Sequence, residues 1–198
     1  MQKFKSISDP KITGLLKSGA VGVLPSDTVY GVMADASNQQ AVAKLYKLKS
    51  RENKPGTIIA ANIDQLVKLG VQRSYLKAVE QFWPGSVSII IPTDDSLQYL
   101  HLGKSSLACR IPNHPEIHRL LTNTGPLLTT SANTPGDDPA NTIEEAVEYF
   151  KEEVDFYVDG GDLSNNKPST IIRVVDDAVE VIRPGAVKID EASGSIVS

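Results

Sequence analysis

Apolar residues along this chain recur with two different periods, and the switching between them predicts a protein built from both helices and strands. Ile12, Leu15 and Leu16 lie three and four apart behind Ser8-Asp9-Pro10 and ahead of Gly19, which gives a short helix its cap, its buried stripe and its stop. The run Val21-Gly22-Val23-Leu24 then predicts a buried strand. Asn38 caps a second helix with Val42, Leu45 and Tyr46 inward, so that Lys44 and Lys47 point outward and Lys49 and Arg51 arrive at its C-terminal end. Thr57–Ala60 is strand-like. Ile63, Leu66 and Val67 before Gly70 predict a short helix, and Leu76, Val79, Phe82 and Trp83 predict another that Pro84-Gly85 stops. Ser86–Ile91 and Leu107–Ile111 read as strands, Pro115 opens a helix through Leu120 and Leu121, and Leu127–Thr130 is a strand running into a loop from Ser131 to Ala140. Thr142 and Glu145 have capping-box spacing before Ala146, Val147 and Phe150. Strands follow at Phe156–Val158, Thr170–Val174 and Val179–Ile182.

Strands and helices alternate early and strands gather late. This ordering predicts an α/β fold with α+β character, in which a twisted mixed parallel and antiparallel sheet carries packed helices. At 198 residues and 40% hydrophobic content, the chain suits one domain over residues 1–190, followed by a short polar tail, 191–198, that is expected to fray. Cys109 is the sole cysteine, and His101, His114 and His118 share no metal-ligand spacing with it, so no protein-ligated metal is expected. With no apolar run of signal-peptide or membrane-span length, the expectation is a cytoplasmic protein with no membrane partner.

Charge changes the picture more than composition does. The net charge of −4 argues against a general nucleic-acid binder, yet residues 1–134 carry 15 Lys/Arg and 9 Asp/Glu while residues 135–198 carry 5 and 15. The cations able to meet an anionic ligand are therefore concentrated early, most densely at Lys44, Lys47, Lys49, Arg51 and Lys54. There is no GxxxxGK[ST] phosphate loop, no GxGxxG turn, no GxSxG elbow and no HExxH pair. What stands out instead are polar segments at predicted element ends: Pro25–Gly31, Lys49-Ser50-Arg51, Cys109–Pro115, Thr130–Asn133, Ser169-Thr170 and Arg183-Pro184-Gly185. Polar groups repeated at strand ends point to one shared crevice.

Taken in order, the strings SDTVYG, KxR, FWPG, RIPNHP, TSAN, STII and IRPG resemble the YrdC/TsaC family, the threonylcarbamoyl-adenylate synthases, across roughly residues 9–188. The resemblance implies a YrdC-like mixed sheet with a concave basic cleft. It also implies an enzyme, a nucleotidyltransferase that joins ATP, L-threonine and bicarbonate or CO2 into threonylcarbamoyl-AMP and pyrophosphate. The product would pass to the downstream tRNA threonylcarbamoyl transferase machinery for modification of tRNA. The family's catalytic tetrad falls on Lys49, Arg51, Ser131 and Asn133. ATP is expected to meet Arg51, Ser106, Ser131, Pro139 and Arg183. Threonine is expected to meet Thr28, Arg110, Thr129 and Ser169. These residue types suit the chemistry. Negative charge accumulates as a carbamate attacks the α-phosphate, so fixed cations and neutral donors serve better than a nucleophile. Arg51 can grip two phosphate oxygens, Lys49 supplies a point charge, and Arg110 suits a carboxylate. Mg2+ is expected to arrive with ATP.

Two departures from the family pattern stand out. Glu52-Asn53-Lys54-Pro55-Gly56-Thr57 replaces the usual residues after KxR, and Ser86-Val87-Ser88 replaces the usual Pro-Leu-Thr after FWPG, a change expected to affect packing more than chemistry. An alternative reading is a non-catalytic module of the same fold that holds RNA on its basic concavity. A third is a carbamoyl-transfer accessory acting on another acceptor. For the single residues, Tyr30 and Cys109 are expected in the core and His114 at a helix start.

Overall fold

A computed structural model describes residues 2–50, 54–176 and 178–197 of the chain. The strands are β1 (Gln2–Phe4), β2 (Gly22–Leu24), β3 (Gly31–Asp35), β4 (Thr57–Ile59), β5 (Val87–Pro92), β6 (Ser106–Arg110), β7 (Leu127–Ser131), β8 (Phe156–Val158), β9 (Thr170–Val175), β10 (Ala178–Arg183), β11 (Lys188–Asp190) and β12 (Ser195–Val197). The α-helices are α1 (Pro10–Lys17), α2 (Gln39–Leu48), α3 (Ile63–Leu69), α4 (Arg73–Lys77), α5 (Gln98–His101), α6 (Pro115–Thr124) and α7 (Ile143–Phe150). The first ten strands form one sheet in the order β1-β8-β2-β3-β7-β4-β6-β5-β9-β10. Parallel pairs (β1/β8, β2/β8, β4/β6, β5/β9) and antiparallel pairs (β2/β3, β3/β7, β4/β7, β5/β6, β9/β10) are both present, as the element order predicts.

Local chemistry explains the helices. The Asp9 side chain accepts from the Lys11 N–H and caps α1, and Asn38 accepts from the Gln40 and Ala41 N–H groups to cap α2. The Thr142 hydroxyl accepts from the Glu145 N–H at 3.3 Å, but the Glu145 carboxylate accepts from the Asn141 N–H, one residue before the position a closed capping box would use.

Successive strand residues face opposite sides of the sheet, and the core divides accordingly. Val32, Ala34, Ile58, Leu128 and Tyr157 join the layer made with α2, α3, α4 and α7. Met33, Ile59, Leu127, Phe156 and Val158 join the layer made with α1 and α6. Along β3, β4, β6 and β7 the second face continues through Gly31, Thr57, Arg110 and Thr129. The sheet thus changes from apolar to polar along one face, and that polar stretch floors a cavity.

Several elements differ from expectation. Residues 76–83 do not form one helix: α4 ends at Lys77, and a single tight turn at Glu80–Phe82 precedes Trp83, whose indole N–H donates to the Val87 carbonyl. β1 and β3 carry no sequence signal. Gln2 and Lys3 are exposed on β1, and β3 is buried on both faces, so neither shows polar alternation. The segment expected to fray pairs instead as an antiparallel hairpin, with Lys188 opposite Val197 and Asp190 opposite Ser195.

Candidate active site

The cavity holds about 190 Å³ and opens at the strand ends where the polar segments meet. Arg110 ends β6 and projects inward from the polar face. It is 3% exposed, and its Nη1 pairs with the Asp27 carboxylate at 2.9 Å. A second contact from Nη1 reaches the Thr28 hydroxyl at 3.4 Å, while the buried Nε meets no acceptor. Burial pushes the Arg110 guanidinium below its ordinary value, and the Asp27 charge opposes that shift. Arginine's intrinsic basicity is high enough that the guanidinium stays charged.

Asp27 and Thr28 sit in a turn organised by Ser26. Its hydroxyl donates to the Val29 carbonyl at 2.7 Å and accepts from the Thr28 and Val29 N–H groups. The Tyr30 phenol beneath donates to the Gly161 carbonyl and accepts from the Gly160 N–H, both at 2.8 Å. Tyr30 is fully buried, as expected of a core aromatic, and burial pushes its pKa up. Gly31 is required beside it: a Cβ there would come within 2.5 Å of the Thr129 hydroxyl.

A second side of the cavity is formed by the loop after β7. Ser131 and Pro139 line it, and the Ser131 hydroxyl donates to Asn133 Oδ1 at 2.7 Å. The Lys49 side chain is 3% exposed and reaches into this loop from the C-terminal end of α2. Its ammonium donates to the Ser131 carbonyl at 2.9 Å, to Asn133 Oδ1 at 3.0 Å and to the Asn133 carbonyl, and lies 5.6 Å from the centre of the Phe150 ring. A third side comes from the last long strand. Arg183 Nη2 donates to the Ser169 carbonyl at 2.7 Å. Gly185 permits this approach, because a Cβ would fall 2.3 Å from the Pro168 carbonyl.

Seven of the residues singled out in the sequence therefore line one cavity: Thr28, Arg110, Thr129, Ser131, Pro139, Ser169 and Arg183. Lys49 and Asn133 stand behind it, joined to Ser131. Ser106 begins β6 four residues before Arg110, on the same strand face at a separation of about 13 Å, outside the cavity lining. Arg51 lies outside the described residues. Pro55, Gly56 and Thr57, from the atypical stretch after KxR, line the cavity as well. Asp27 was not a candidate, although it stands inside SDTVYG; the buried arginine that gives it a role is distant in sequence. The Ser86-Val87-Ser88 departure was expected to affect packing more than chemistry, yet the Ser88 hydroxyl meets that of Ser169 at 2.9 Å.

His114 does precede α6, without a side-chain cap. Cys109 is buried, and burial alone pushes its thiol up to about 12. No helix among the described residues is long and apolar enough to cross a membrane.

Comparison with known proteins gives the family and the fold. Residues 14–185 match the Sua5/YciO/YrdC family, described as telomere recombination. A threonylcarbamoyl-AMP synthase of Pseudomonas putida is 34% identical over 174 residues, covering 86% of this chain and 93% of that protein. One from Bacillus subtilis is 32% identical over 191 residues, covering 92% of this chain and 55% of that longer protein. The crystal structure of P. abyssi Sua5 complexed with L-threonine has a TM-score of 0.84 at 23% identity, and spans 97% of this chain and 59% of that one. At that identity the likeness speaks for the fold.

Proposed function

The chain belongs to the Sua5/YciO/YrdC family over residues 14–185, and on that footing we propose that it is an L-threonylcarbamoyladenylate synthase supplying tRNA modification. The observation that carries the reading is a single cavity with two kinds of wall. One wall holds the buried Arg110 with the Thr28, Thr129 and Ser169 hydroxyls, and suits a small amino acid. The other holds Ser131, Pro139 and Arg183 at the rim, and suits a nucleotide.

In this reading Arg110 takes the threonine carboxylate, and the hydroxyls orient the amino acid so that its amine faces the rim. The amine adds to CO2 derived from bicarbonate and loses a proton, giving a carbamate. A carbamate oxygen then bonds to the α-phosphorus of ATP, the bond from that phosphorus to the bridging oxygen breaks, and pyrophosphate leaves. Arg183 offers donors for the charge that grows on the phosphate oxygens, the Ser131 hydroxyl joins it once its proton turns from Asn133 Oδ1, and Lys49 fixes the loop that presents Ser131. Arg51 and Ser106 complete the proposed nucleotide contacts. Mg2+ bound to the ATP phosphates would supply further charge neutralisation there. The cytoplasm, where ATP, bicarbonate and tRNA meet, is the proposed location, and a threonylcarbamoyl transferase is the proposed recipient of the product.

Pyrophosphate release measured with each substrate omitted in turn tests the reading. Release should require threonine and bicarbonate together, with serine several-fold poorer because it lacks a methyl group worth about 1 kcal/mol. Equal release without an amino acid removes the synthase assignment and favours the RNA-holding module.

A further inference from the structure

Ser88 belongs to β5, where Val87, Ile89 and Ile91 join one apolar layer, so alternation turns Ser88 to the cavity face. It is fully buried. A buried hydroxyl has one proton to place, and leaving it without an acceptor is costly. Among the described residues, the side-chain partner of the Ser88 hydroxyl is the Ser169 hydroxyl at 2.9 Å. Ser169 lines the cavity and also accepts from Arg183 Nη2 at 3.3 Å, a contact whose direction is fixed because a guanidinium can only donate.

These contacts decide the direction of the serine pair. If Ser169 donated to Ser88, the Ser88 proton would be stranded in the interior. If Ser88 donates to Ser169, both hydroxyls are served: the Ser169 oxygen accepts from Ser88 and Arg183, and its own proton is left to turn into the cavity. We propose that Ser88 is a positioning residue that fixes Ser169 as a hydrogen-bond donor, so that this point of the pocket reads an acceptor oxygen of the amino acid, its carboxylate, and not its amine. The proposal rests on the amino-acid site assigned above, and it needs only a hydroxyl at position 88, which the usual threonine there would also supply.

The test uses the full chain as wild type, Ser88→Ala, Ser88→Thr, Ser169→Ala and the Ser88→Ala/Ser169→Ala double variant, with threonine and ATP dependence measured separately and thermal unfolding recorded for each. Ser88→Ala should raise the threonine KM about five- to tenfold while the ATP KM stays within about twofold, the signature of one lost ligand-orienting hydrogen bond. Ser88→Thr restores the hydroxyl and should return the threonine KM toward wild type. In the Ser169→Ala background, Ser88→Ala should add nothing further, since its effect runs through that hydroxyl. Equal shifts in both KM values, no recovery with Ser88→Thr, or an undiminished Ser88→Ala effect in the Ser169→Ala background would each overturn the proposal. If wild type releases no threonine-dependent pyrophosphate, the synthase reading fails, and calorimetric titration of threonine into the same five proteins decides the Ser88 proposal: the same ordering of affinities supports it, and equal or absent binding overturns it.

Discussion

The two walls of the cavity are built in opposite ways. Thr28, Arg110, Thr129 and Ser169 are all buried, and Thr28, Arg110 and Ser169 are tied to other buried groups. Ser131 and Pro139 are half-buried on a loop whose tip, residues 135–138, is exposed, and Arg183 lies exposed at the end of β10. Removing a charge and several hydroxyls from water before the ligand arrives costs stability, which Asp27 and the hydrogen bonds offset. In return, a small ligand with few atoms meets groups whose positions are already set. In the proposed function the open wall meets a nucleotide, which offers many more contacts and a high charge, so a less enclosed surface is enough for it. Precision is concentrated where the ligand is smallest.

Substitutions can break or sharpen that contrast. The largest effect is expected from Asp27→Ala, which leaves the Arg110 guanidinium buried without its counter-charge. Loss of one member of a buried pair costs about 3–5 kcal/mol, and in a chain of this length thermal unfolding should fall by roughly 10 °C. A melting point within about 2 °C of wild type would show that the pair does not hold the buried wall together. Next comes Lys49→Met, which keeps the side-chain length and removes the ammonium that ties Ser131 and Asn133 to α2. Chemical denaturation should show a loss of about 1.5–3 kcal/mol, the range for hydrogen bonds to a charged group. Unchanged stability would mean that Lys49 serves the ligand and not the loop. Arg183→Ala probes the open wall: the ATP KM should rise about tenfold, with a stability change below about 1 kcal/mol. A larger stability loss would move Arg183 into the buried wall's class. The smallest effect is expected for Arg173→Ala, which breaks the exposed pair with Glu180 on the neighbouring strand. It should change unfolding free energy by about 0–1 kcal/mol and leave both KM values alone; a shift in either would extend the site along β9.

The same contrast governs what could be read from the sequence. Helix α2 was legible from its Asn38 cap to Lys49, because caps and a stripe of Val42, Leu45 and Tyr46 are local signals. The strand at Phe156–Val158 matched its expected bounds because three strand-forming apolar residues stand together. β3 was not visible, since Gly31, Ala34 and Asp35 are poor strand formers and it shows no alternation, and β1 was too short and polar to register. The cavity residues were found through ordered strings and not through periodicity. What those strings could not show was which residues support the others. Asp27 acquires its meaning from Arg110, Ser88 from Ser169, and Lys49 from the carbonyls of a distant loop. The parallel pairing of β5 with β9 brings Ser88 to Ser169, and the other two partnerships also join segments remote in sequence, which no local pattern encodes. The polar tail was misjudged because Ile196 and Val197 find their pairing with β11 only after the chain turns back.

That pairing order has a kinetic side. β5 lies between β6 and β9, so Ser88 reaches Ser169 through a parallel contact that closes most of the second half of the chain, while Arg110 reaches Asp27 across a comparable distance in the first half. Contacts this remote carry a loop-closure cost that must be met before they return any energy, which slows the search for them. A nascent or partly refolded chain can therefore form α2 and the helices around it while having no substrate site at all. During refolding, threonine-dependent turnover should appear after helical circular dichroism, and the interval between the two measures how long the sheet takes to close.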